Sequence, residues 1–204
     1  VTRWQTGTVA GEDHTVVLPF INIPDISVYW GDNSPTRNYS DTDISHAYLD
    51  TTLKVVVAQG DLNGWNMGSH PLFNDISGNL RNMIQLGGDV SGLRMADVSG
   101  AWRDCSAMVW SATDDPSMNG ATTMESWFMN CASFDGNLST WDTAGVQNMD
   151  STFRLCTSFN NESLANWDVE DVTTMENTFR DASLFNGDIK AWRPSGVTSM
   201  KNTF

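Results

Sequence analysis

Residues 134–158 read FDGNLSTWDTAGVQNMDSTFRLCTS, residues 159–183 read FNNESLANWDVEDVTTMENTFRDAS, and residues 185–204 read FNGDIKAWRPSGVTSMKNTF. They are copies of one unit, because the same residue types return with a period of 25 or 26 residues. Self-similarity at this period predicts a solenoid, in which each unit buries its apolar face only against its neighbours.

Four apolar positions in each unit follow the spacing 0, 3, 7 and 10, which places them on one face of a helix. The preceding stretch, Leu138 to Trp141, is bounded by Gly, Asn and Asp and is typical of a brief strand or extended turn. Each unit is therefore predicted to be a short strand followed by a short helix. We expect structural ladders at Val146, Met149, Phe153, Cys156, Val172, Met175, Phe179, Ala182, Val197, Met200 and Phe204.

The same spacing continues toward the N-terminus with weaker matches. These earlier copies are Ala121, Met124, Phe128 and Cys131, then Met95, Val98, Trp102 and Cys105, and last Phe73, Ile76, Leu80 and Met83. About six coils are therefore predicted over residues 71–204, and degenerate end repeats are expected of a stack. We also expect more coils, a cap or a partner beyond Phe204, because a bare coil edge would favour pairing.

Residues 1–60 have a different residue pattern, in which runs of β-branched residues are separated by turns of Asp, Asn, Gly and Pro. Such runs predict a small β-sandwich. Residues 61–70 are rich in Gly and Asn, lack periodicity and are predicted to be the junction with the repeats. The predicted fold is thus α/β, a leucine-rich-repeat-like solenoid preceded by a β-sandwich.

Two family resemblances accompany these patterns. The text of the third unit, F-N-x-D-I-x-x-W…V-x-x-M-x-x-x-F, resembles the BspA-like leucine-rich-repeat surface proteins. The stretch from Trp30 to Ser34, followed by His46-Ala47-Tyr48, resembles a PKD-like immunoglobulin-type module, although Asn33 stands where Gly is usual. Together the resemblances imply an extracellular protein of microbial surfaces or secreted particles, without catalytic residues.

The charge and the apolar content of the chain limit the classes of partner that it is expected to bind. The net charge is −14 with only eleven Lys and Arg, which argues against nucleic acid because phosphate neutralisation needs basic residues. No apolar run approaches the ~20 residues that cross a bilayer, so no membrane-spanning segment is expected. The expected partners are a protein or glycan surface ligand, or copies of the chain itself.

No catalytic or metal-binding constellation is predicted. His14, His46 and His70 share no ligand spacing, and HExxH, CxxC and GxSxG motifs are absent. Cys105, Cys131 and Cys156 occupy one register of successive units and are expected to stack in the core as thiols, since three is an odd number and disulfides need specific geometry.

Two surface roles stay open. Asp and Asn recur in the turns after each Phe, and rows of oxygens at turns can bind calcium, although these are also ordinary turn residues. Calcium is therefore the one cofactor considered. Trp141, Trp167 and Trp192 form a row that either packs in the core or stacks on sugar rings.

The predicted function is non-enzymatic: an extracellular or cell-surface protein whose repeats act as a rigid spacer and a recognition or adhesion surface. One alternative is a structural subunit of a virion fibre or an extracellular filament. Another is a carbohydrate-binding module that uses the Trp row.

Overall fold

The structure is a computed structural model. It describes residues 2–5, 15–18, 26–39, 44–47, 53–60, 80–83, 95 and 98–204.

The N-terminal part consists of short strands in two sheets. The strands are β1 (Thr2–Gln5), β2 (Thr15–Leu18), β3 (Ile26–Tyr29), β4 (Arg37–Tyr39), β5 (Ile44–Ala47), β6 (Leu53–Gly60), β7 (Leu80–Met83) and β8 (Val109–Trp110). The larger sheet has the order β4-β3-β6-β1-β7-β8, and β2 pairs with β5 in a separate sheet. All pairs are antiparallel except β7 with β8, which is parallel.

The larger sheet crosses the boundary that the sequence predicts between the first 60 residues and the repeats. β1 pairs with β6 on one side and with β7 on the other, and β7 pairs with β8. The physical reason is that an unpaired strand edge carries free N–H and C=O groups that another strand can satisfy. Leu80–Met83 is therefore a strand, not part of the helix that the weakest repeat copy predicts. The predicted junction, residues 61–70, lies outside the described residues.

The turn of the PKD-like stretch has a defined geometry. Trp30 is fully buried, and the Asp32 carboxylate accepts a hydrogen bond from the backbone N–H of Ser34 at 3.1 Å. Asn33, which replaces the usual Gly, has φ of 64°. Asn tolerates this left-handed region better than most residues, so the substitution is compatible with the turn. The β-sandwich and PKD-like assignments stay predictions.

Each repeat contains one stretch that we call a turn segment. The five turn segments are residues 98–105, 124–131, 149–156, 175–182 and 200–204. Their third residues (Gly100, Ser126, Ser151, Asn177, Asn202) and, in the first four, their seventh residues (Asp104, Asn130, Leu155, Asp181) all have φ between 51° and 70°.

These left-handed residues explain why the predicted short helices do not form. Within residues 98–204 the turn segments are successive turns, and the helix found there is the 3-10 helix Glu162–Leu164. A residue with positive φ reverses the local hand of the chain and interrupts an α-helix. The apolar spacing does mark one buried face. The reason is that these turns are closed by hydrogen bonds from an N–H to the carbonyl three residues earlier, such as Cys156 N–H to Phe153 C=O at 3.1 Å, so they also advance in steps of three.

The turn segments stack through backbone hydrogen bonds between neighbouring repeats. From residues 149–155, every second N–H donates to a carbonyl of the next repeat. The bonds join Met149 to Thr174 (3.1 Å), Ser151 to Glu176 (2.8 Å), Phe153 to Thr178 (2.9 Å) and Leu155 to Arg180 (2.9 Å). Parallel bridges join Thr123, Asn148, Thr174 and Ser199 beside them. Each repeat is thus held in register by its neighbours.

Aromatic rings fill the space enclosed by the repeats. Phe153 stacks on Phe128 and on Phe179 of the neighbouring repeats, with ring centroids 5.5 Å apart in both pairs. Phe153 also stacks on Phe159 at 4.5 Å. Most ladder positions are buried, but Val197 is half-buried, and Met200 and Phe204 are 52% and 71% exposed. The α/β solenoid class itself stays a prediction.

Replacing Phe153 with Ala should lower the free energy of unfolding by about 3 to 5 kcal/mol, because it leaves a cavity between two stacked rings. Phe204→Ala is the matched control, since Phe204 occupies the same register, stacks on Phe179 and is 71% exposed. Urea denaturation monitored by circular dichroism measures both. A loss for Phe153→Ala no greater than that of the control would show that the ring is not a packing element.

Candidate functional site

The three candidate platform tryptophans lie in the core. Trp141, Trp167 and Trp192 are 4%, 4% and 9% exposed. Trp167 lies 5.9 Å from Phe153 and Trp192 lies 6.1 Å from Phe179, measured between ring centroids. A platform for a sugar ring needs an exposed aromatic face, and these indoles have none.

The indole N–H groups of Trp167 and Trp192 also have hydrogen-bond partners. Nε1 of Trp167 donates to the Leu138 carbonyl at 2.9 Å, and Nε1 of Trp192 donates to the Leu164 carbonyl at 2.8 Å. Each bond links a repeat to the one before it, and a buried tryptophan generally requires such a partner. The structure thus supports the packing alternative for the Trp row, because buried indoles offer no face to a sugar ring.

The three cysteines lie on the same side of successive turn segments as buried free thiols. Sγ of Cys131 donates to the Trp102 carbonyl at 2.9 Å, and Sγ of Cys156 donates to the Phe128 carbonyl at 2.8 Å. Burial raises the pKa of all three thiols, because the charged thiolate would lose its hydration. The thiols therefore act as small apolar residues, and those of Cys131 and Cys156 also tie adjacent repeats together.

Thiol burial predicts a pH dependence of stability. The folded-state pKa of each thiol lies above its unfolded value, so the unfolded chain loses protons first and stability falls as pH rises above about 8.5. We expect the free energy of unfolding to be independent of these groups below pH 8 and to fall beyond it. Denaturation at pH values from 7 to 10 measures the free energy of unfolding and its slope against pH. In a variant with Cys105, Cys131 and Cys156 changed to Ala, the part of this slope that the thiols cause should be absent. An equal slope in both proteins would contradict the assignment.

A row of buried threonines is a structural element that the sequence analysis missed. Thr152, Thr178 and Thr203 are 0%, 0% and 6% exposed. The Thr178 hydroxyl lies 2.8 Å from the Met175 carbonyl of its own repeat and 3.0 Å from the Met149 carbonyl of the preceding repeat. The signal was present in the sequence, since Thr immediately precedes the ladder Phe in three consecutive copies.

Thr178→Val should lower the free energy of unfolding by about 1 kcal/mol, the net value of one buried hydrogen bond, because valine keeps the volume and removes the hydroxyl. Thr178→Ser should recover part of the loss, since it restores the donor. The control is Thr173→Val, which removes the exposed hydroxyl that donates to Gln147. Equal stability of the Val and Ser variants at position 178, measured by urea denaturation, would exclude the hydrogen-bond role.

The turn oxygens considered for calcium have partners within the protein. The Asp135 carboxylate accepts the backbone N–H of Asn160 at 3.0 Å, and the Asn160 side-chain oxygen accepts the N–H of Asn186 at 2.8 Å. Asp142 and Asp168 each accept the N–H two residues later, an Asx-turn. These bonds agree with the turn-residue alternative for the row.

A second polar row follows the parallel bridges on the outside. In each case a carboxylate accepts from the Asn, Thr or Ser of the next repeat. The pairs are Glu125 with Asn148 (3.3 Å), Asp150 with Thr174 (2.6 Å) and Glu176 with Ser199 (2.6 Å). Lys201 occupies the equivalent position of the last repeat. We call Glu125, Asp150, Glu176 and Lys201 the outer charged row.

The remaining candidates are only partly described. His46 lies in β5 opposite Val16, whereas His14 and His70 fall outside the described residues. The structure shows no group of three His, Cys, Asp or Glu side chains that could hold a metal ion among the residues it describes. In the same part of the chain, no helix has the length and apolar character needed to cross a membrane.

The stacked rows define a protein whose repeats recognise one another through backbone and side-chain ladders. The chain belongs to the family described as Mycoplasma protein of unknown function, DUF285, whose family model matches residues 96–204. The matched region begins just before the first turn segment and includes all five. No curated protein and no solved structure matches the chain.

Proposed function

We propose that the chain is a non-enzymatic protein of a cell surface or secreted particle, in which the repeats form a solenoid that serves as a rigid spacer and recognition surface. The single observation that carries this proposal is the continuity of the stack. Every pair of neighbouring turn segments is joined by backbone hydrogen bonds in one register. Such a stack keeps a fixed distance between its two ends, because no flexible joint interrupts it.

The use of polar side chains supports the same function. Hydrogen bonds between repeats are made by four kinds of polar group: threonine hydroxyls, indole N–H groups, thiols and turn carboxylates. Side chains that make these bonds hold neighbouring repeats together, as a spacer requires. The DUF285 family is associated with BspA-like repeat proteins, which supports the proposal of a repeat protein.

A second function, as a structural subunit of a fibre or filament, is favoured by the way in which the repeats bind one another. Each turn segment from residues 98–105 to 175–182 donates backbone N–H groups to the next one in the same register, so one repeat is a binding surface for another. Surfaces that bind in one register can also stack head to tail between molecules. The repeats could therefore serve as an assembly element in a fibre or filament.

Fractionation of the organism that makes the protein separates the two functions. A surface spacer is expected in the cell-envelope fraction and should be digested by protease added to intact cells. An assembly subunit is expected to sediment with a particle or filament of defined symmetry. Recovery in the soluble cell interior, protected from protease until lysis, would contradict both.

A further inference from the structure

Three asparagines of the chain stand two residues before a serine, with no proline between them. They are Asn38, Asn137 and Asn161. This pattern is the acceptor signal for an N-linked sugar in secreted proteins. The sequence gives no reason to prefer one of the three. The structure separates them, because a sugar needs an accessible acceptor nitrogen and room beside the chain.

The side chain of Asn137 is exposed, and its two polar atoms have different surroundings. Its Oδ1 accepts the backbone N–H of Ser139 at 3.0 Å, which closes an Asx-turn. Because the side-chain amide is planar, holding Oδ1 against the chain directs Nδ2 to the opposite side. Among the residues that the structure describes, neither Nδ2 of Asn137 nor the Ser139 hydroxyl has a hydrogen-bond partner.

The equivalent turn in residues 185–204 shows that the fold does not need the amide nitrogen. Asp188 stands four residues before Trp192, as Asn137 stands four residues before Trp141. The Asp188 carboxylate accepts the N–H of Lys190 at 3.0 Å, in the same kind of Asx-turn. An oxygen acceptor is therefore sufficient for this turn. The Nδ2 group of Asn137 is free for a role outside the stack.

The second asparagine, Asn161, lies in a more enclosed place. Its Oδ1 accepts the N–H of Ser163 at 2.9 Å and caps the 3-10 helix Glu162–Leu164. Asn161 is half-buried, and Ser163 is only 6% exposed with its hydroxyl oxygen buried. The serine that belongs to the acceptor signal is thus enclosed by the protein, and the folded repeat has less room for a sugar here than at Asn137.

The third asparagine, Asn38, is exposed but lies in a paired strand. It belongs to β4, which pairs with β3, and its Oδ1 accepts the hydroxyl hydrogen of Ser27 at 2.6 Å. The side chain is therefore held across two strands, and its serine, Ser40, lies outside the described residues. Only Asn137 combines an exposed side chain, a free amide nitrogen and a serine whose hydroxyl is unpaired within the described part of the chain.

We propose that Asn137 is the acceptor of an N-linked sugar, transferred from a sugar diphosphate of the nucleotide or lipid class. A bond forms between Nδ2 and the anomeric carbon, the bond from that carbon to the diphosphate oxygen breaks, and Nδ2 releases one proton. The hydrogen bond from Ser139 to Oδ1 stays in place. The inference rests on the surface or secreted location proposed above, because N-linked sugars belong to proteins of that class.

The test begins with the protein purified from the organism that makes it. The protein is digested, and the peptides that contain Asn137 and Asn161 are compared by mass spectrometry. The Asn137 peptide should be heavier than its sequence by one or more sugar residues, and fragmentation should place the added mass on Asn137. The Asn161 peptide should have the mass of the bare sequence.

Four variants of the whole chain, produced in the same organism, separate modification from folding. Asn137→Asp keeps the oxygen acceptor, as Asp188 does, so it should lose the sugar and keep the fold. Ser139→Ala keeps the backbone N–H of the turn and should also lose the sugar, whereas Ser139→Thr should retain it. Asn161→Asp should leave the sugar on Asn137 unchanged. Urea denaturation of each variant shows that the repeats are folded.

An unmodified Asn137 overturns the inference in every cell fraction, and in an envelope or particle fraction it leaves the proposed function intact. A sugar on Asn161 in place of Asn137 would also overturn it, because the choice between the two rests on their exposure. So would a sugar that persists in Ser139→Ala, since the serine would then have no part in recognition. The cellular location is decided separately, by the fractionation.

Discussion

The structure depends on backbone N–H groups that leave their own turn segment and donate to the carbonyls of the next repeat. This direction requires left-handed residues at fixed places, such as Ser151 with φ of 57° and Leu155 with φ of 62°. For residues other than glycine that conformation costs energy locally. The cost is offset because each such residue aligns a donor with a carbonyl of the neighbour, at 2.8 Å for Ser151 and 2.9 Å for Leu155.

One register of backbone bonds fixes all the side-chain rows. Because the Phe153 N–H donates to the Thr178 carbonyl of the next repeat, the Phe153 ring stacks on Phe179. The same register toward the preceding repeat places the Cys156 thiol against the Phe128 carbonyl. The same register brings the Thr178 hydroxyl between two carbonyls. The rows are therefore not independent contacts, and a shift of one residue between repeats would break the backbone and side-chain bonds together. Neighbouring repeats therefore pair in one register only, because the backbone and side-chain bonds form together.

The period of 25 or 26 residues has a local cause. Leu138 follows Phe134 by four residues, whereas Leu164 follows Phe159 by five. The extra residue is absorbed by the 3-10 helix Glu162–Leu164, capped by the Asn161 side chain, which accepts the N–H of Ser163 at 2.9 Å. The core positions on either side keep their places. The difference in length between these two repeats is thus confined to the segment between the conserved Phe and Leu.

The sequence by itself determined the period, the apolar ladder positions and the shared register of Cys105, Cys131 and Cys156, because the same residue types at equal spacing mark equivalent positions of successive repeats. It did not determine the backbone path, since steps of three and four residues fit both an α-helix and a series of turns. Nor did it decide whether Trp167 faced solvent, or show that Thr178 bonds across repeats. Those outcomes depend on which groups of the neighbouring repeat lie opposite, and only the tertiary structure brings residues some 25 positions apart into contact.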